Sequence, residues 1–157
     1  MRAYLIRHGQ AEDATVDAAR PLSRQGREDI TRVAGFLSLF ERPRPKMMAH
    51  SGKLRAGQTA DMFAESWQVA DVRELPDLLP GADPAVWASR LDALEADVAL
   101  VGHLPHLGGL AGLLLCGAAT GREIVRMQAA SVVCLERGGQ GWTLLWHLHP
   151  GLFYGRD

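Results

Sequence analysis

Cysteine is nearly absent from this 157-residue chain: Cys116 and Cys134 are the only two. Two thiols cannot build a multi-bridge disulfide framework or a four-cysteine zinc site, so buried free thiols in a reducing compartment are expected. An excess of one charge is also lacking. Lys+Arg 17 against Asp+Glu 18 leaves a net charge of −1. That argues against a broad basic face for nucleic acid but leaves room for a small cationic pocket. No apolar run approaches the ~18–20 residues that span a bilayer. The apolar stretch near the start, Ala3-Tyr4-Leu5-Ile6, is too short for a signal peptide. A cytoplasmic protein without membrane contact is the expectation. Internal repeats, low-complexity tracts and long linkers are missing too, so residues 1–157 are expected to form one domain with its own core.

What the chain does have is an alternation of short apolar runs and amphipathic segments. Ala3 to Ile6 and Val98 to Val101 are apolar at consecutive positions, as strands buried on both faces of a parallel sheet are. Lys46 to His50 and Val69 to Glu74 read as further strands. Ser23 is placed to cap a helix with Ile30, Val33, Ala34 and Leu37 on one face, ended by Pro43 and Pro45. Ser51 is placed to cap a second helix through Leu54 and Gln58 to about Ala64. Asp83-Pro84 starts a third, with Trp87, Leu91 and Leu94 on one face, and Leu107, Leu110, Ala111 and Leu114 mark a fourth. Ser131 to Leu135 and the alternating run Trp142, Leu144, Trp146, Leu148 flank Gly138-Gly139 as a closing hairpin. The expected fold is a three-layer α/β/α sandwich, its central sheet mostly parallel with an antiparallel edge strand.

The two fully apolar strands run into Arg7-His8-Gly9 and Gly102-His103. Ligands of open α/β sheets bind beyond the carboxyl ends of the strands. If the two strands are neighbours, the imidazoles face each other across about 5 Å. Arg55 lies near the start of the second helix, where free N–H groups and the helix dipole favour an anion. Arg7 follows four buried residues and needs an anionic partner there. Together these residues fit a phosphate monoester. Arg7 and Arg55 balance a phosphoryl dianion, and His103 adds a donor as charge develops. His8 needs a neutral ring nitrogen to attack phosphorus, which neighbouring arginines favour. Gly9 is expected to clear space for phosphate at the backbone. Neither a carboxylate–histidine metal cluster nor a Gly-x-x-x-x-Gly-Lys-Ser/Thr loop is evident, which speaks against a two-metal phosphatase or a P-loop enzyme.

Leu5-Ile6-Arg7-His8-Gly9, Arg20-Pro21-Leu22-Ser23 with Gly26, Ser51 and Leu54-Arg55-Ala56-Gly57-Gln58-Thr59-Ala60, Leu75-Pro76-Asp77-Leu78, and Val101-Gly102-His103-Leu104-Pro105 carry a resemblance. Taken together they resemble the histidine phosphatase superfamily, with its phosphoglycerate-mutase-like fold, and within it the compact SixA-like phosphohistidine phosphatases. The resemblance implies that His8 is the nucleophile that becomes phosphorylated. It implies that Arg7, Arg55 and His103 bind the phosphoryl oxygens, and that no metal or organic cofactor takes part. Larger relatives carry a glutamate general acid where this chain has Asp77; Glu74 and Asp13 are the other candidates. Arg20 is expected to line the entrance and His50 to approach the phosphate. A family Ser-Pro is Ser51-Gly52 here. Short loops leave little chain for a lid, so the expected substrate is a phosphohistidine on a partner, such as a histidine-containing phosphotransfer domain. A small phosphomonoester is the alternative, and a non-catalytic phosphate- or phosphoprotein-binding module is the reading from another class.

Overall fold

The computed structural model describes residues 1–118 and 121–155. Six strands form one sheet in the order β3-β2-β4-β1-β5-β6. They are β1 (Arg2–Arg7), β2 (Met47–His50), β3 (Val72–Glu74), β4 (Val98–Gly102), β5 (Val132–Gly138) and β6 (Gly141–Leu148). The helices are α1 (Arg24–Phe40), α2 (Leu54–Trp67), α3 (Pro84–Ala93) and α4 (His106–Cys116). β1, β2, β3 and β4 are parallel, and β5 and β6 join as an antiparallel pair beside β1. The sandwich is therefore the one expected, with the closing hairpin of β5 and β6 as its antiparallel edge. No helix of the described residues is long and apolar enough to cross a membrane.

Alternation along β1 divides the core. Tyr4 and Ile6 pack with Ile30, Val33, Leu37, Phe63 and Trp67 under α1 and α2. Ala3 and Leu5 pack with Trp87, Leu91, Leu107 and Leu110 under α3 and α4. Right-handed crossovers account for the division. The chain moves outward from β1 to β2 to β3 with α1 and α2 on one face. It then returns through α3 on the other face to insert β4 between β2 and β1. β1 and β4 are thus neighbours whose chains leave toward opposite layers, and the crevice at their carboxyl ends is the switch point of the sheet.

The capping expectations hold for α1 and α3. Ser23 Oγ accepts from the Gly26 amide at 3.1 Å, and Asp83 Oδ1 accepts from the Ala85 amide at 2.9 Å. Ser51 does not cap α2. Lys53 occupies that position without a side-chain bond, and the Ser51 hydroxyl is used elsewhere. α2 runs on to Trp67 and closes through Gln68 in the left-handed region at φ 58°. The Val69 amide then bonds back to the Ala64 carbonyl at 2.9 Å. Residues 69–71 therefore lie outside β3, which is only three residues long. The expected alternation of β6 also fails at one point. Leu135 pairs with Leu144 but Cys134 with Trp146, so Leu145 is an extra residue. Such a bulge reverses the facing of the residues beyond it. Trp142 packs on the α3/α4 side and Trp146 on the α1/α2 side. Cys134 is buried as expected, whereas Cys116 at the end of α4 is exposed.

Candidate active site

The pairing of β1 with β4 aligns Ile6 with Val101 and Arg7 with Gly102. His8 and His103 consequently leave adjacent strand ends, and their ring centroids stand 4.8 Å apart. The His8 amide donates to the Gly102 carbonyl at 3.1 Å and the Arg7 amide to the Ser131 carbonyl at 3.0 Å. These bonds carry the sheet ladder one step beyond the strands, so the imidazole starts from a fixed backbone.

His8 Nδ1 lies 2.7 Å from the Gly9 carbonyl oxygen. A carbonyl only accepts, so Nδ1 carries the proton and the lone pair of the neutral ring is on Nε2. The Arg55 Nε–H is directed at that lone pair from 3.3 Å. Burial pushes the His8 pKa down to about 4, and the charges of Arg55, Arg7 and Arg20 add to the shift against the Gly9 bond. Burial likewise lowers His103 to about 3, reinforced by His8, Arg55 and Lys53. Both rings are neutral at physiological pH. A neutral, tautomer-fixed imidazole with its lone pair facing a guanidinium is equipped to attack an electrophile carrying anionic oxygens.

Arg7 is anchored through Nη1, which donates to the Met127 carbonyl at 2.7 Å. Its Nε is buried without a partner. A buried unpaired N–H costs free energy until an acceptor arrives. His103 has the same character: Nε2 lies 2.6 Å from Ser51 Oγ, while Nδ1 is buried and unpartnered. Arg55 is supplied by the first turn of α2. Thr59 Oγ1 donates to the Arg55 carbonyl at 2.7 Å and accepts from the Gly9 amide at 3.1 Å. One hydroxyl therefore ties the start of α2 to the loop carrying His8. Gln58 Oε1 accepts from the Leu22 amide at 2.8 Å, fixing the Arg20-to-Ser23 segment to the same helix.

His8, Arg55 and His103 are thus brought together, with Arg7 joining from the base of the loop. The other expected positions fare differently. Asp77 sits on a 3-10 turn, Pro76–Leu78. Its carboxylate pairs with Arg90 of α3 at 2.7 Å, not with any of the four. The exposed Glu74 side chain occupies the space over Gly52, whose φ is +82°. Asp13 is exposed and accepts from Thr15. His50 Nδ1 accepts from the Gly52 amide at 3.2 Å, which steadies the turn after β2. Arg20 is exposed, with φ 51°, and its Nε donates to the Glu12 carbonyl at 3.2 Å. Its charge still depresses the pKa of His8 and of Arg55.

Gly9 has a packing reason besides any phosphate. A Cβ there would lie 2.6 Å from Ile30 Cδ1, 3.0 Å from Leu22 Cδ2 and 3.1 Å from the Gly26 carbonyl oxygen. Gly26 makes the reciprocal contact, because a Cβ on it would collide with the Gln10 carbonyl. Gly26→Ala should therefore cost about 1–3 kcal/mol of stability, measured by denaturant unfolding, because backbone cannot move aside as a side chain does. A loss within about 0.5 kcal/mol would mean that the loop yields freely.

Three supports escaped the sequence reading: the Ser51 hydroxyl, the Thr59 bridge and the Met127 carbonyl. Thr59 had a signal, since it lies four residues after Arg55 on one helix face. Met127 had none, because a backbone acceptor can belong to any residue. No group of three or more His, Cys, Asp or Glu able to hold a metal ion occurs among the described residues.

Residues 3–79 match the family model of the histidine phosphatase superfamily, branch 1. No protein of curated function matches significantly. Among solved structures, the protein histidine phosphatase SixA complexed with tungstate is similar at 25% identity and TM-score 0.85, over 98% of this chain and 99% of that one. A candidate phosphohistidine phosphatase SixA from Agrobacterium tumefaciens shares 24% identity at TM-score 0.79, covering 96% and 98% of the two chains. A mycobacterial glucosyl-3-phosphoglycerate phosphatase complexed with VO3 shares 20% at TM-score 0.70, covering 92% and 97%. The last two likenesses speak to the fold alone. The matched segment holds β1, α1, β2 and α2 with Arg7, His8 and Arg55, and the fold carries the likeness through His103 to the closing hairpin. On both counts the chain belongs to the histidine phosphatase superfamily.

Proposed function

We propose that this protein is a phosphatase that works through a phosphorylated His8, and that its substrate is a phosphohistidine on a partner protein. The observation that carries the first part is the state of His8: neutral, with Nδ1 bonded to Gly9 and Nε2 facing Arg55 at 3.3 Å. In the first step Nε2 attacks phosphorus. The bond from phosphorus to the leaving nitrogen breaks, and its electron pair departs with the substrate ring, which carries a proton on its other nitrogen and so leaves as neutral imidazole. Arg7, Arg55 and His103 hold the three peripheral oxygens, which carry the developing charge. In the second step water attacks phosphorus, the bond to Nε2 breaks, and phosphate leaves with a neutral His8.

Two features support a protein-borne phosphohistidine. The connection from β4 to α4 is only residues 103–105, and the one from β3 to α3 spans residues 75–83. These short rims suit a side chain that protrudes from a macromolecule. The carboxylate of Asp77 is engaged by Arg90. Imidazole, a far better leaving group than an alkoxide, makes the smaller demand on a general acid. A small phosphomonoester is the alternative substrate; the likeness to the glucosyl-3-phosphoglycerate phosphatase shows a shared fold and favours neither reading.

The test compares kcat/KM for a phosphorylated histidine-containing phosphotransfer domain with that for sugar phosphates, alongside rapid-quench labelling. The expected result is a preference for the phosphodomain, with an acid-labile phosphoenzyme that disappears in His8→Ala. Turnover unaffected by chelators is expected as well. A strong preference for sugar phosphates overturns the protein-substrate reading, and a chelator-sensitive rate overturns metal independence. Phosphate binding without turnover replaces the enzyme with a binding module.

A further inference from the structure

We propose that Ser51 is a positioning residue that sets the tautomer of His103, so that His103 offers Nδ1–H to the phosphoryl oxygens. The choice of tautomer rests on the phosphatase reading above; the Ser51–His103 contact rests on geometry alone. Ser51 and His103 are 4% and 2% exposed, and Oγ lies 2.6 Å from Nε2. The pair is isolated from water, so its hydrogens must be arranged internally.

A serine hydroxyl can donate or accept, and a neutral imidazole can do either at each nitrogen. Two arrangements are open to the pair. In one, Nε2–H donates to Oγ, and the lone pair of Nδ1 remains for the anion. Lone pair against oxyanion is repulsive. In the other, Oγ–H donates to Nε2, and the proton sits on Nδ1. Nδ1, buried and without a partner, is then a donor awaiting an acceptor. Arriving phosphate satisfies it. The second arrangement serves a phosphoryl group and the first opposes it. His8 also carries its proton on Nδ1. The same tautomer thus performs opposite tasks on the two rings, because His8 presents the bare nitrogen and His103 the protonated one.

The sequence context makes Ser51 a rigid support. β2 pairs with β4 so that His50 lies beside Val101, which places Ser51 next to the Gly102-His103 strand end. The turn is locked by Gly52 at φ +82°, and by its amide donating to His50 Nδ1 at 3.2 Å. The hydroxyl's absence from the α2 cap is then explained. It is held at His103, and Lys53 takes the cap position.

The experiment is 15N NMR of histidine-labelled protein at neutral pH without substrate, for the unaltered chain, Ser51→Ala and Ser51→Thr, together with kcat, KM and Tm. The unaltered protein should show His103 protonated at Nδ1 only. Ser51→Ala should show mixed tautomers and a kcat lower by about 10–100-fold, the usual scale for a partner that orients a functional histidine. KM and Tm should change little. Ser51→Thr, which keeps the hydroxyl, should restore the single tautomer and most of kcat. A proton on Nε2 in the unaltered protein overturns the proposal, as does a Ser51→Ala protein with unchanged tautomer and kcat. If no variant, the unaltered chain included, turns over any phosphoryl substrate, the phosphatase reading fails. The NMR result still decides what Ser51 does to His103.

Discussion

Arg55→Ala should lower kcat/KM by about 10²–10³-fold, equivalent to about 2–4 kcal/mol of transition-state stabilisation. The Arg55 Nε–H points at His8 Nε2 from 3.3 Å, so it lies where a phosphoryl group would enter and can turn its donors onto the oxygens. Alanine removes those donors and nothing in the described site replaces them. Arg55→Lys keeps the charge but loses the planar fork, and should recover only part of the loss. A second effect separates the roles of the guanidinium. After burial, Arg55 is the leading cause that lowers the pKa of His8. Without it the nucleophile protonates at higher pH. The deficit at pH 8 therefore reports the lost clamp, and any further deficit at pH 5 reports protonated His8. Unchanged kcat/KM at both pH values would place Arg55 outside the reaction.

A second large effect is expected in acid. An ordinary imidazole of pKa 6.5 is only about 3% neutral at pH 5, whereas one at about 4 is about 90% neutral. With His8 held near 4 by burial and by the charges of Arg55, Arg7 and Arg20, the nucleophile should stay competent about thirtyfold better at pH 5 than an unperturbed histidine. NMR titration of the His8 ring in the free protein gives the direct check, and a midpoint near 6.5 would refute it. The same shift has a consequence for folding. His8 binds its proton more weakly in the folded chain than in the unfolded one. The unfolded state therefore gains protons first as pH falls, and stability declines from about pH 6.5 down to about pH 4. For His8 alone this amounts to about 3 kcal/mol at the acid end. Saturating phosphate should oppose the decline, because it binds the folded site.

The sequence made the four core residues legible for a physical reason. A strand buried on both faces must be continuously apolar. Arg7-His8 and His103 interrupt that pattern at the strand ends, where a polar group needs a purpose. The parallel register between β1 and β4 then does the rest. Details that depend on where a side chain turns were not legible. Ser51 fits a helix cap by type and position, yet its hydroxyl serves a residue over fifty positions away. Asp77 occupies the motif position of a general acid, but Arg90, one helix later, engages it. The β6 bulge escaped notice because Trp142, Leu144, Trp146 and Leu148 alternate in sequence whether or not the partner strand keeps register.

The insertion of β4 between β1 and β2 also constrains how the protein comes to exist. β1 is the first strand in the chain, and its two neighbours in the sheet begin at Val98 and Val132. While residues up to about 97 are being synthesised, β1 has no native partner, and its apolar edges require shielding. Contacts of such long sequence separation form slowly relative to local ones. The imidazole pair is made by that same late pairing. Anion binding by this chain is accordingly a report on the completion of folding, and separated halves should show none of it until they reassemble.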